Sequence, residues 1–114
     1  MSDCLFCKII KKEIPAARIF EDDHAIVIKD INPQAPVHLL AIPREHFSGV
    51  HQVPDGQARL FDGLFTAIKR VIEREKLEEK GYRLVINSGE KAGQTVPHIH
   101  VHVLSGRSLH WPPG

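Results

Sequence analysis

The sequence has almost no excess of charge and no long apolar run. Its 15 Lys and Arg residues balance 14 Asp and Glu residues, whereas a protein that binds duplex nucleic acid needs a basic face to neutralise phosphates. No window approaches the roughly 18 consecutive apolar residues of a membrane span. The first residues do not resemble a secretory signal peptide. These absences predict a cytoplasmic protein that binds neither nucleic acid nor membranes.

Cysteine is also scarce, and Cys4 and Cys7 are too close in the sequence to close a useful disulfide loop. Their spacing fits a redox pair, half of a zinc site, or two small residues that pack like hydrophobes. The redox interpretation requires a thioredoxin-like βαβ setting, which the predicted order of strands and helices does not show. A chain of 114 residues needs no disulfides to fold, and we expect a single domain over residues 1–114.

The apolar pattern predicts a meander of strands interrupted by one long helix. A short helix is predicted at 4–12, ended by Pro15, and strands at 18–21, 25–28, 37–42, 82–86 and 98–104. Apolar residues at three-four spacing predict an amphipathic helix over 55–76, with Asp55 as its N-cap and Gly81 stopping the frayed end. The expected fold is therefore an α+β domain with a five-stranded antiparallel sheet.

Three histidines alternate with apolar residues in the last predicted strand. Because strand side chains alternate between faces, His98, His100 and His102 should share one face, and the apolar residues between them should pack beneath the long helix. Three interpretations compete. The histidines are polar residues on a solvated face, or ligands of one metal ion, or a catalytic group in which one imidazole attacks phosphorus and a neighbour controls tautomer or protons.

The loop over 87–97 precedes this strand and places two glycines beside Asn87, Gln94 and Thr95. Such a loop can offer backbone N–H groups and polar side chains to phosphate oxygens, although the same residue types also fill ordinary turns. Next to three histidines in line, the loop favours a phosphate held against an imidazole.

The run His-Ile-His-Val-His-Val-Leu over 98–104 resembles the signature of the histidine triad (HIT) superfamily. Lys-Glu-Ile-Pro at 12–15, the segment 30–36 and His-Trp-Pro-Pro-Gly at 110–114 resemble its histidine triad nucleotide-binding (Hint) branch, so the resemblance extends over essentially the whole chain. It implies a HIT-like sheet that dimerises into a shared sheet, and a purine nucleotide as ligand. Members of that branch hydrolyse adenosine 5′-phosphoramidates and acyl-adenylates to AMP.

The resemblance also implies a role for individual residues. His100 would be the nucleophile at the α-phosphorus, the main-chain carbonyl of His98 would hold its other ring nitrogen, and His102 would assist at the phosphate or leaving group. No metal is required for this chemistry. The nucleotide contacts would be Asp30 on the ribose, Asn87, Gln94 and Thr95 on the phosphate, with Thr95 near the departing amine, and Ile19, Ile28 and Ile31 on the base.

A structural zinc ion needs four nitrogen or sulfur ligands. Many prokaryotic proteins that this chain resembles hold zinc with two cysteines and two histidines, which implies the ligands Cys4, Cys7, His46 and His98. His98 would then be structural. The remaining histidines are expected at strand ends or on the surface: His24, His38, His51 and His110.

Two features leave the substrate and the assembly open. Gln-Thr-Val-Pro at 94–97 resembles the fragile histidine triad branch of dinucleoside polyphosphate hydrolases, whereas the C-terminus resembles the Hint branch. Trp111 either reaches the active site of a partner in the dimer or anchors the C-terminus. Two further functions fit the same residues: a nucleotide-binding regulatory module with slow turnover, and a metal-dependent hydrolase that uses all three triad histidines.

Overall fold

The structure, a computed structural model, describes residues 3–114. Over these residues five strands form one antiparallel sheet in the order β1-β2-β3-β5-β4. The strands are β1 (Arg18–Glu21), β2 (Ala25–Lys29), β3 (Val37–Pro43), β4 (Tyr82–Val85) and β5 (Val101–Ser105), and the helices are α1 (Leu5–Ile10), α2 (Arg59–Glu75) and α3 (Leu77–Lys80). The predicted α+β class, the antiparallel five-stranded sheet, the long helix and the short N-terminal helix are confirmed.

Both faces of the sheet are covered, and the two coverings differ. Residues of α2 such as Leu64 pack on one face against Val27 and its neighbours. On the other face, Phe6 of α1 packs against Ile26 and Ile28. Because successive strand residues point to opposite faces, β2 supplies both cores. We call these two cores the α2 side and the α1 side of the sheet.

The ends of the long helix differ from the prediction. Asp55 lies in a separate 3-10 turn that follows Pro54, and α2 begins only at Arg59 with Ala58 as its N-cap, so the prediction of Asp55 as N-cap is wrong. At the other end the chain breaks at Lys76, which has a left-handed conformation with φ of 55°. The four-residue helix α3 follows, where the sequence predicts a frayed end, and it ends at Gly81.

The last strand begins three residues later than predicted, at Val101. The ladder between β3 and β5 runs from the pair Val37 and Ser105 to the pair Ala41 and Val101. Beyond it β3 reaches Pro43, which has no N–H to donate, and the N–H of Ile99 bonds instead to the carbonyl of Phe47 at 2.8 Å. His98 and His100 therefore precede the strand, and His102 lies within it.

The C-terminal segment carries an exposed aromatic residue. Trp111 is 82% exposed, which disfavours the alternative in which it anchors the C-terminus on its own chain. None of the helices over residues 3–114 combines the length and the apolar character needed to traverse a bilayer.

Candidate active site and metal centre

His100 is a buried imidazole on the α1 side of the sheet, with 3% of its surface exposed. The ring of Phe6 meets it edge-on with ring centroids 4.9 Å apart. Its Nδ1 lies 2.8 Å from the main-chain carbonyl oxygen of His98. Because a carbonyl only accepts, Nδ1 donates the hydrogen bond, and the neutral ring keeps a lone pair on Nε2. Burial lowers the pKa of His100, which favours this neutral form.

His102 lies beside His100, with ring centroids 5.0 Å apart, and it contacts a fourth histidine. Its Nδ1 is 2.9 Å from Nε2 of His38. Nε2 of His38 is also 3.3 Å from Oδ2 of Asp30. Burial, together with the neighbouring His100 and His38, lowers the pKa of His102 to about 4. Burial also lowers the pKa of His38, so both imidazoles are neutral near pH 7. Their contact is therefore a hydrogen bond between a ring N–H and a ring nitrogen lone pair.

Sequence reasoning assigned no function to His38. The sequence predicts it at a strand end or on the surface; it is the second residue of β3, but only 7% of it is exposed. The strand periodicity could have indicated its burial. His38, Leu40 and Ile42 alternate along β3 and so share one face, and Leu40 and Ile42 belong to the α1 side. The remaining histidines expected at the surface, His24, His51 and His110, are exposed.

Four side chains converge beside α1: Cys4, Cys7, His46 and His98. Nδ1 of His98 lies 3.4 Å from Sγ of Cys4 and 3.6 Å from Sγ of Cys7, and Nδ1 of His46 lies 3.3 Å from Sγ of Cys7. The two Nδ1 atoms are 3.0 Å apart. A tetrahedral zinc ion, with bonds of about 2.3 Å to sulfur and about 2.0 Å to nitrogen, separates sulfur from nitrogen by about 3.5 Å. The cluster thus has the spacing of a tetrahedral site.

The hydrogen bonds around the cluster also suit a metal ion. Nε2 of His98 is 2.9 Å from the carbonyl of Pro43 and must donate to it, so the lone pair of Nδ1 faces the sulfur atoms. A carbonyl that holds the second nitrogen of a histidine ligand in this way is the usual arrangement at metal centres. Cys4 is the N-cap of α1, and its sulfur accepts the N–H of Cys7 at 3.4 Å, which brings both sulfur atoms to one end of the helix.

The ligand atoms of a second group are also close enough for a metal ion: Asp30, His38 and His102. The position of the proton on His38, however, disfavours metal binding. Nδ1 of His38 accepts the backbone N–H of Gln34 at 2.9 Å, so neutral His38 carries its proton on Nε2, the atom that would have to ligate. Within residues 3–114 the triad histidines fall into separate clusters, since His98 joins the cysteines and His102 joins His38. This arrangement disfavours one metal ion bound by all three.

The loop over 87–97 is held by one of its own predicted phosphate ligands. Oε1 of Gln94 accepts the N–H of Gly89 at 2.8 Å, and Nε2 of Gln94 donates to the carbonyl of Ser48 at 2.7 Å. Asn87 is half-buried in this loop. Thr95 lines a cavity of about 420 Å³ together with His46 and other residues next to the cysteine cluster. The side chain of Gln94 therefore holds the loop in shape beside the cysteine cluster.

The predicted base and ribose contacts are only partly brought together. Ile19 and Asp30 line one cavity of about 310 Å³, and His38 lines it with them. Ile28 is buried on the α1 side, whereas Ile31 is 99% exposed. The carboxylate of Asp30 has two contacts: Oδ1 accepts the N–H of Asn32 at 2.8 Å in a local turn, while Oδ2 faces His38. The structure thus joins Ile19 to Asp30 in a cavity that His38 also lines, and it leaves the side chain of Ile31 exposed to solvent.

Fold and site together define a class: an α+β protein whose antiparallel sheet presents buried neutral histidines beside a cluster of two cysteines and two histidines. Comparison with known proteins gives the family. The chain belongs to the HIT domain family, whose model matches residues 11–109.

Individual relatives match over nearly the full chain. A 14 kDa zinc-binding protein of Zea mays is 44% identical over 115 residues, which cover 99% of this chain and 89% of the relative. The crystal structure of a HIT family hydrolase from Legionella pneumophila superposes with a TM-score of 0.94 at 46% identity, covering 98% of this chain and all of that one. A histidine triad nucleotide-binding protein from Candida albicans superposes with a TM-score of 0.83 at 33% identity, covering 96% of this chain and 83% of that one.

Proposed function

We propose that the protein hydrolyses the phosphorus–nitrogen bond of purine nucleoside 5′-phosphoramidates through a covalent nucleotidyl-His100. The observation that carries this proposal is the hydrogen bond from Nδ1 of His100 to the carbonyl of His98. It leaves an uncharged, buried Nε2 with a free lone pair, which is what a nitrogen nucleophile needs near pH 7. The hydrolase and nucleotide-binding descriptions of the two structural relatives support the same class of reaction.

The reaction has two displacements at phosphorus. In the first, the lone pair on Nε2 of His100 forms a bond to the α-phosphorus while the bond to the amine nitrogen breaks, and the leaving nitrogen takes up one proton from solvent. In the second, a water oxygen attacks phosphorus and releases one proton to solvent, the bond to His100 breaks, and the nucleoside monophosphate leaves. We propose that negative charge on the phosphoryl oxygens is met by donors from the backbone of 87–97 and from Asn87, Gln94 and Thr95.

The covalent step is tested by trapping the intermediate. We expect protein mixed with an adenosine phosphoramidate and quenched within milliseconds to seconds to carry an adduct of the mass of AMP on the peptide that contains His100. A His102→Ala variant should both form and release the adduct more slowly, so it is quenched over longer times than the wild type. Mass spectrometry of the digested protein locates the adduct. Normal turnover with no adduct on any histidine in either protein would contradict the proposal.

We also propose that Asp30 accepts hydrogen bonds from the ribose hydroxyls, beside the base contacts Ile19, Ile28 and Ile31. A hydrogen bond to a charged group stabilises by about 1.5–3 kcal/mol, so a 2′,3′-dideoxy substrate should show a KM higher by about 10–100-fold. In Asp30→Ala, which has no side-chain acceptor, the two substrates should become nearly equal. The ratio of the two KM values is the measurement, because damage to the fold would raise both together. An unchanged ratio in the variant would exclude Asp30 from ribose binding.

The cysteine cluster is proposed to hold a structural zinc ion, with Cys4, Cys7, His46 and His98 as ligands. The distances within the cluster support this, as does the zinc-binding relative from Zea mays. When bound, zinc supplies a cross-link between α1, the loop after β3 and the segment before β5, and it takes no part at phosphorus. His98 then serves the reaction only through its main-chain carbonyl.

The proposed assembly is a homodimer in which two sheets join. β4 lies at an edge of the sheet, and an edge strand presents N–H and C=O groups to which another strand can pair. The exposure of Trp111 is in accord with a C-terminus that packs on a partner subunit.

A further inference from the structure

His38 has no step in the reaction proposed above, yet the structure holds it from several directions. Its Nδ1 accepts the backbone N–H of Gln34 at 2.9 Å. The carbonyl of the same Gln34 accepts Nε–H of Arg107 at 2.8 Å, which ties the loop over 30–36 to the segment after β5. The imidazole of His38 is itself buried. Its orientation is therefore set by the main chain and does not depend on a bound ligand.

The hydrogen bond from Gln34 decides where the proton of His38 resides. A backbone N–H can only donate, so Nδ1 of His38 accepts and carries no proton. Neutral His38 then has its proton on Nε2, which is 2.9 Å from Nδ1 of His102 and 3.3 Å from Oδ2 of Asp30. Because the carboxylate and the ring nitrogen both face an N–H, Nδ1 of His102 can only accept at this distance. The proton of neutral His102 is consequently on Nε2, the nitrogen that remains for a ligand.

The two neighbouring triad rings thus hold opposite tautomers. His100 donates from Nδ1 to the carbonyl of His98 and presents a lone pair on Nε2. His102 accepts at Nδ1 and presents an N–H on Nε2. A lone pair for phosphorus beside an N–H for a phosphoryl oxygen is the pair of groups that a displacement at phosphorus requires.

We propose that His38 is a positioning residue that keeps His102 in the Nε2–H tautomer, so that His102 donates a hydrogen bond to a non-bridging phosphoryl oxygen during attack by His100. This inference rests on the proposed function and specifies the part of His102 in it. No proton is transferred from His102, since a neutral imidazole that lost its proton would become an unstable anion. Carboxylate and hydrogen-bonded neighbours fix histidine tautomers in this manner at other functional sites.

The test uses two variants of His38 that differ in whether the new side chain can donate a hydrogen bond where Nε2–H of His38 lies. In His38→Gln the side-chain amide can still donate to His102, whereas in His38→Leu nothing can. Nitrogen-15 NMR of the ring nitrogens of His102, assigned with a His102→Gln variant, reports the tautomer directly. We expect the Nε2–H form in the wild type and in His38→Gln, and loss of that single form in His38→Leu.

Kinetics supply the second readout. Removing one donor to a charge that develops in the transition state costs about 10²–10³-fold in kcat. His38→Leu keeps the ring of His102 but frees its tautomer, so we expect a loss of up to that range with little change in KM. The loss should be similar for a phosphoramidate and for an aryl ester of AMP, because the donor acts on a non-bridging oxygen and not on the leaving group. His38→Gln should keep most of the activity.

The outcomes separate the two proposals. An Nδ1–H tautomer of His102 in the wild type would overturn the inference, even if phosphoramidates are hydrolysed. The inference would also be overturned if His38→Leu loses activity while His102 keeps its Nε2–H form, because His38 would then have only a structural role. If the wild type hydrolyses neither substrate, the proposed function fails, while the NMR result with AMP as ligand still decides the tautomer. If His38→Leu does not fold, the wild type and His38→Gln decide it.

Discussion

Replacing His100 with Asn is expected to lower kcat for an adenosine phosphoramidate by at least about 10⁴-fold, since removal of a covalent nucleophile is among the largest single losses that enzymes show. Asn can still donate toward the carbonyl of His98 and is smaller than the imidazole, so the buried site should tolerate it. The residue offers no lone pair basic enough to attack phosphorus. Binding of AMP, measured by calorimetry, should change far less than kcat.

The matched control is the same substitution at an exposed histidine outside the site. His51 is exposed, and His51→Asn should keep wild-type kcat and wild-type AMP affinity. A residual activity of His100→Asn within tenfold of the wild type would show that the nucleophile is another group. A loss of AMP binding as large as the loss of kcat would show instead that the variant has lost the pocket.

Replacing Cys7 with Ser is expected to abolish metal binding and to lower the melting temperature. Elemental analysis of protein never exposed to chelator should find about one zinc per wild-type chain and well under one in the variant, because a neutral serine hydroxyl is a poor ligand for zinc. A structural zinc site contributes its binding free energy to folding. A loss of only a few kcal/mol would lower the melting temperature by on the order of 10 °C.

A second pair of histidine variants controls this experiment. His46→Asn removes a proposed ligand and should lose zinc as Cys7→Ser does, whereas His51→Asn should keep the metal. Wild-type protein with well under one zinc per chain would refute the metal centre. So would full zinc occupancy in both ligand variants. If zinc is bound, its removal should also reduce kcat, because the ion holds the ring of His98 and thereby the peptide whose carbonyl orients His100.

Local patterns in the sequence predicted much of the architecture. Alternation over 98–104 placed Ile99 and Val101 in the core beneath α2, where the structure has them, and three-four spacing predicted α2. The start of β5 could not be predicted in this way, because it depends on the ladder with β3 ending near Pro43. The N-cap of α2 was missed because the residues before it form their own 3-10 turn.

The site residues show the same limit. A register shift between Arg18 and Phe20 in β1 lets both Ile19 and Phe20 pack against the α2 side, and no sequence pattern announces such a bulge. His38 was missed because its partner His102 is 64 residues away. The cysteine cluster was predicted only through the resemblance to other proteins, since His98 and Cys4 are 94 residues apart.

His98 divides three tasks among three atoms. Its Nδ1 faces the cysteines, its Nε2 bonds to Pro43, and its main-chain oxygen accepts the hydrogen bond of His100. Every amino acid has a main-chain oxygen, so exchanging residue 98 deletes the first two contacts but keeps the oxygen, and any loss of kcat then comes from a shift in the position of that oxygen. A substitution at position 98 therefore tests how the side chain supports the structure around the triad. The atom of His98 that takes part in catalysis is its main-chain oxygen, which every substitution retains.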